Sequence, residues 1–172
     1  MNNFAPLIIN IDSTEISSYE EDLISNELIG GIILFKHNYA NKRQIMRLID
    51  DVKKINNRVL ICVDHEGGRV QRFINEFTKI PSFYSIGKAY EADKTLGADL
   101  AYSCGYASGY ELKSIGIDIN FSPVIDLSSN SEVLNERTFS SIPQKVSVLA
   151  SKYITGLIEN GIIPVVKHYP GH

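Results

Sequence analysis

Cysteine is scarce in this sequence: there are two, Cys62 and Cys104, in 172 residues. Both sit in apolar surroundings without metal-ligand spacing, which argues against a disulfide scaffold and fits buried thiols in a reducing compartment. The four histidines, His37, His65, His168 and His172, show no ligand spacing on one element either, so no metal is expected. No apolar run approaches the ~20 residues that cross a bilayer. The opening stretch "MNNFAPLIINID" lacks a basic leader and reads as a strand, so a cytoplasmic protein without a membrane partner is expected. Positive charge is not in excess. A net charge of −3 and a pI near 5.8 give no reason to expect a nucleic-acid partner. No glycine-rich dinucleotide fingerprint follows the first apolar run, where "DSTEIS" stands instead, and no cofactor is expected.

What is present describes a globular α/β protein. Hydrophobic residues make up 44% and charged residues 22%, a balance that excludes disorder at a length sufficient for one domain with a core. Five short runs rich in Ile and Val recur: "PLIINID" (6–12), "GGIILFKH" (30–37), "RVLICVDHE" (58–66), "IDINFSPVID" (117–126) and "IIPVVKH" (162–168). They mostly do not alternate, as expected of strands buried on both faces. Helical patterns lie between them. Asn41 with Gln44 reads as a capping box ahead of Ile45, Leu48, Ile49, Val52 and Ile55 at helical spacing. Val146, Leu149, Ala150, Tyr153, Ile154, Leu157 and Ile158 form a second stripe, ended by Gly161. A long helical region is expected over 85–115, ending at Gly116, and a short one near 18–28, ending at Gly30 and Gly31. The order predicts a parallel sheet with crossover helices.

The C-terminal ends of these strands carry ionisable residues: Asp12; Lys36 and His37; Asp64, His65 and Glu66; Asp126; Lys167 and His168. In a barrel all such ends converge on one rim, whereas an open sheet uses a switch point. A TIM (β/α)8 barrel is therefore favoured, with this chain supplying about its first five strands.

The densest segment is "VDHEGGRVQRF" (63–73). Asp64 and Glu66 fall on the same side of a strand. Gly67 and Gly68 permit a tight turn, and Arg69 and Arg72 follow at a spacing that would let them share a helical face. Carboxylates accept from sugar hydroxyls, and guanidinium groups fork onto carboxylates or hydroxyl pairs. Asp64 and Arg72 read as ligand-binding, while for Arg69 an ion pair bracing the rim is an equal reading. Asp126 reads as a structural rim carboxylate and His37 as a packed or solvated histidine. Lys167 admits a buried ion pair beside ligand contact.

"DHEGGRVQRF", "GIDINFSPVID" with "NERTF" after it, and "KHYPGH" together resemble the successive signatures of family 3 glycoside hydrolases. More narrowly they resemble the bacterial cytoplasmic β-N-acetylhexosaminidases that recycle cell-wall muropeptides. The resemblance implies that Asp64, Arg72, Arg137, Lys167 and His168 grip a non-reducing N-acetylglucosamine. It also implies retaining chemistry, with an acid/base His and a nucleophilic Asp both expected beyond His172, so that no catalytic residue lies within this chain. His172 matches the second His of "KHYPGH", which is not the acid/base. Asp64 and Glu66, two apart on one strand, sit too close to flank a sugar from opposite faces.

Residues 1–172 are thus expected to form the N-terminal portion of a single barrel domain. Five strands do not close a barrel, and without its remainder self-association is expected at the open edges. The implied partner is a muropeptide of the N-acetylglucosaminyl-1,6-anhydro-N-acetylmuramic acid type. A truncated barrel that binds sugar or a protein partner without turnover is the second reading. A phosphate-binding barrel is weaker, because the glycine-rich cradle it needs would lie at strands seven and eight.

Overall fold

In the computed structural model, which describes residues 5–128 and 131–172, each of the five apolar runs contributes a strand. Residues 1–4 of the opening stretch lie outside the described residues. In chain order come β1 (Leu7–Asn10), β2 (Ile29–Leu34) and β3 (Leu60–Val63), then a hairpin of β4 (His65–Gly67) and β5 (Val70–Gln71), then β6 (Ile119–Asn120) and β7 (Ile163–Pro164). The helices are α1 (Ser18–Ser25), α2 (Lys42–Ile55), α3 (Phe83–Ala92), α4 (Lys94–Ser114) and α5 (Pro143–Glu159).

The main sheet has the order β1-β2-β3-β6-β7 and every pairing in it is parallel. Apart from the hairpin, neighbours in space are neighbours in the chain. A doubly wound sheet would reverse its strand order at a switch point, so this progression is that of a barrel wall. Val63 pairs with both Leu34 and Asn120, and a bridge between Val124 and Lys167 extends the last pairing. The strand ends that carry the ionisable residues therefore share one edge.

The helices cover the other side of the strands. Ile45, Leu48, Ile49 and Val52 of α2 are all buried, packed in one core with Ile32, Leu34, Ile61 and Val63. The Asn41 side chain accepts from Gln44 N at 2.9 Å, and Gln44 Oε1 accepts from Ala40 N at 2.8 Å, so the cap forms largely as expected. Gly161 ends the α5 segment at φ 74°, the left-handed position that favours glycine. Where α4 crosses α5, a Cβ on Gly105 would lie 2.0 Å from Tyr153 O, so the two backbones approach as only glycine allows. Both cysteines are free and buried, and burial pushes their thiols up to about 12 for Cys62 and about 11 for Cys104.

Two helix expectations need correction. The region 85–115 is two helices, not one, because Asp93 adopts an extended conformation and caps α4 by accepting from Thr95 N and Leu96 N at 2.9 and 3.0 Å. The first helix ends at Ser25, not at Gly30 and Gly31. Those glycines lie inside β2, where a Cβ on Gly30 would meet Ala5 O at 2.2 Å.

β1 and β7 are the outer strands of the sheet. Leu7, Ile8 and Ile163 are about half exposed there, at 49%, 49% and 52%. Among the described residues, no helix is long and apolar enough to cross a membrane.

Candidate functional site

Asp64 directly follows β3, and Glu66 lies within β4, both at the shared edge of the sheet. Lys167 reaches the same place from beyond β7, its backbone fastened by Lys167 N donating to Pro123 O at 3.2 Å and Ile125 N donating to Lys167 O at 2.8 Å. The Lys167 ammonium then bridges the two carboxylates, 2.6 Å from Asp64 Oδ1 and 2.7 Å from Glu66 Oε1. Arg137, on the helical turn Asn135–Arg137, meets Glu66 with two parallel bonds of 2.9 Å from Nε and Nη2. That bonding holds the guanidinium above its ordinary pKa, against the opposing effect of burial. Arg72 Nη2 stands 3.6 Å from Asp64 Oδ2, and its guanidinium lies over the Phe35 ring, 5.5 Å from the centroid.

Asp64, Arg72, Arg137, Lys167 and His168, read from the sequence as site residues, all line one open hollow of about 500 Å³, together with Glu66. The hollow is rich in directed polar groups. Two carboxylates meet three cations, so the cluster carries donors in excess. Lys167 has three N–H donors; one bonds Asp64, and its contact with Glu66 is an ion pair. Arg72 Nε is buried without a protein partner. Such an array of converging donors and acceptors suits a ligand with several hydroxyls.

The hairpin corrects the expected placement of the arginines. Gly67 and Gly68 take φ of 108° and 54°, turning the chain so that Arg69 sits in the tip and Arg72 follows β5. The two do not share a helical face. Arg69 donates to Val133 O, a backbone contact rather than an ion pair, and it too lines the hollow. His65, between Asp64 and Glu66, turns its ring into the cluster of Phe73 and Phe77. Asn120 brackets the His65 backbone with bonds of 2.9 and 3.0 Å, and Tyr153 Oη donates to His65 O at 3.3 Å. Burial, with a smaller effect of Arg72, pushes the His65 ring down to about 3, so it stays neutral.

Glu66 is the residue that sequence reading undervalued. It is 2% exposed and anchors both Arg137 and Lys167, where the sequence suggests at most a rim-bracing ion pair with a nearby arginine. A carboxylate inside an apolar strand requires cations from elsewhere, and that requirement is the signal that marks it. His168 Nδ1 lies 2.6 Å from Asp126 Oδ2, and Asp126 is 8% exposed, as suits a rim carboxylate. His37 lies apart, exposed, with Nε2 3.0 Å from Ile11 O and its ring stacked on Phe35.

A profile of the glycosyl hydrolase family 3 N-terminal domain matches residues 7–172. The chain belongs to this family. Among its family 3 relatives, the beta-hexosaminidase of Shewanella frigidimarina is 42% identical over 166 residues, 96% of this chain and 49% of that protein. The beta-hexosaminidase of Tolumonas auensis is 39% identical over 168 residues, 97% of this chain and again 49% of the relative. Of solved structures, NagZ from Neisseria gonorrhoeae in complex with N-trifluoroacetyl-D-glucosamine superposes with a TM-score of 0.94 at 35% identity, covering 97% of this chain and 50% of that one. A family 3 β-N-acetylglucosaminidase from Paenibacillus sp. gives a TM-score of 0.90 at 30% identity, covering 98% and 32%. The fold is thus that of the TIM-barrel-like family 3 domain. This chain spans about half the length of the curated relatives it matches.

Proposed function

We propose that this chain forms the sugar-gripping half of a retaining β-N-acetylhexosaminidase. The complete enzyme would remove non-reducing N-acetylglucosamine from peptidoglycan-derived muropeptides in the cytoplasm, during cell-wall recycling. One observation carries the reading: Lys167 joins Asp64 and Glu66 at 2.6 and 2.7 Å while Arg72 and Arg137 close on the same hollow. Spare donors on Lys167 and Arg72 would meet sugar oxygens, and the Asp64 oxygens would accept from hydroxyls. His168, whose side chain is 29% exposed beside Lys167, would meet a further hydroxyl. The names of the relatives, and the glucosamine derivative bound by the Neisseria enzyme, support this sugar class.

Retaining hydrolysis needs two catalytic groups on opposite sides of the glycosidic bond. Asp64 and Glu66 hold one ammonium between them and so lie on one side of the hollow. The acid/base His and nucleophilic Asp would come from the part of the enzyme that corresponds to the relatives' second half. The tied state of both carboxylates also favours a second reading, sugar binding without turnover. A chromogenic N-acetyl-β-glucosaminide separates the two. Release of chromophore by the complete protein, with β-N-acetylglucosamine as the first-formed anomer, supports the enzyme. Saturable N-acetylglucosamine binding without any release supports the binding module. Neither result would remove the sugar reading altogether.

A further inference from the structure

Asp126 makes no hydrogen bond or ion pair with the cluster around Lys167; among the described residues, its side-chain bonds run to the segment 168–172. Its Oδ2 accepts from His168 N at 3.2 Å and stands 2.6 Å from His168 Nδ1, while Oδ1 accepts from His172 N at 3.1 Å. The Val124–Lys167 bridge sets this register and brings the carboxylate onto the first residue past the bridge. Two of its three partners are backbone N–H groups, which only donate. A carboxylate meeting a ring nitrogen at 2.6 Å accepts from it, a short charge-assisted bond. His168 Nδ1 must therefore carry a hydrogen.

We infer that Asp126 is a positioning residue that fixes the His168 tautomer, so that Nε2 presents an acceptor to a hydroxyl of the bound sugar. The inference rests on the sugar-binding reading of the hollow. With Nδ1 protonated, the neutral ring has its lone pair on Nε2. His168 lines the hollow beside Lys167, whose ammonium only donates. The pair would thus offer a sugar one donor and one acceptor side by side. Asn at 126 would not test this, because its amide oxygen in the Oδ2 place would still accept from His168 N and Nδ1. Ala at 126 removes the acceptor, so the ring reverts to the tautomer a free imidazole prefers, with the hydrogen on Nε2 and no lone pair there for a hydroxyl donor.

The test is long-range ¹H–¹⁵N correlation of the imidazole rings in the ¹⁵N-labelled chain, at a pH where the His168 ring is neutral, with the signal assigned by its loss in His168→Gln. Nδ1–H in the wild type and mainly Nε2–H in Asp126→Ala are expected. An Nε2–H or mixed tautomer in the wild type overturns the inference, and this reading needs no variant to fold. The second arm is the affinity for N-acetylglucosamine, which Asp126→Ala should weaken about tenfold, the loss of one good hydrogen bond. Unchanged affinity alongside a switched tautomer overturns the acceptor role. If the wild type holds Nδ1–H but neither binds nor hydrolyses the sugar, the sugar reading of the hollow has failed and the acceptor role fails with it, whereas the positioning by Asp126 stands.

Discussion

Glu66 holds Arg137 through two parallel hydrogen bonds of 2.9 Å, with the Glu66 side chain 2% and the Arg137 side chain 13% exposed. The same carboxylate also forms an ion pair with Lys167, 2.7 Å away. One buried anion therefore sets the position of two of the cations that face the hollow. Removing it leaves the largely buried Arg137 without its partner and leaves Lys167 with Asp64 alone.

Glu66→Ala should destabilise the fold by about 3–5 kcal/mol, the cost of breaking a buried ion pair from one side. Glu66→Gln retains the shape and some hydrogen bonding and should cost less, yet still weaken sugar affinity because Arg137 and Lys167 lose their anchor. Urea unfolding of the two variants checks the order, and equal stability of Glu66→Ala and wild type would contradict it.

His65 should make the fold acid-sensitive. In the folded state its ring protonates only at about 3, against an ordinary 6.5. The unfolded chain therefore binds a proton that the native one refuses as pH falls below about 6.5. Stability contributed by the neutral ring is complete above that value. Between about 6 and 4 it should drain away at roughly 1.4 kcal/mol per pH unit. His65→Leu keeps an apolar group against Phe73 and Phe77 and should lose this component of the slope. Identical slopes for variant and wild type in urea unfolding at pH 6 and pH 4 would refute the assignment.

The edges formed by β1 and β7 should make a polypeptide of these 172 residues self-associate. Parallel edge strands expose unpaired backbone groups, and Leu7, Ile8 and Ile163 add apolar surface beside them. Light scattering after size exclusion should show species larger than 19.2 kDa. Ile163→Lys, which puts a charge on the edge, should shift the distribution toward monomer. A wild-type chain that stays monomeric at tens of micromolar would contradict the reading.

Much of this molecule was legible in the sequence, for identifiable reasons. Apolar runs bounded by glycine and proline mark buried parallel strands, and all five runs contribute strands to the sheet in chain order. Asp64, Lys167 and His168 come together because parallel strands bring their C-terminal ends to one edge, and the hairpin and the turn Asn135–Arg137 bring Arg72 and Arg137 to them. What escaped depends on partners distant in the chain. Glu66 looks like any polar strand end until Arg137, 71 residues later, is seen to close on it. The break at Asp93 was missed because apolar periodicity continues across it, and only the side-chain cap reveals the boundary. The Arg69–Arg72 spacing suggested a helix, but the paired glycines before it turn the chain into a hairpin instead.

In the proposed function this cluster recognises N-acetylglucosamine, with Asp64 at its centre, 2.6 Å from Lys167 and 3.6 Å from Arg72. The most direct measurement is kcat/KM for a chromogenic N-acetyl-β-glucosaminide, comparing the complete protein with its Asp64→Ala variant. Hydrogen bonds to a charged group are worth about 1.5–3 kcal/mol each, so losing them should lower kcat/KM by about ten- to a hundredfold or more. A folded Asp64→Ala protein that hydrolyses the substrate as fast as wild type would contradict the account.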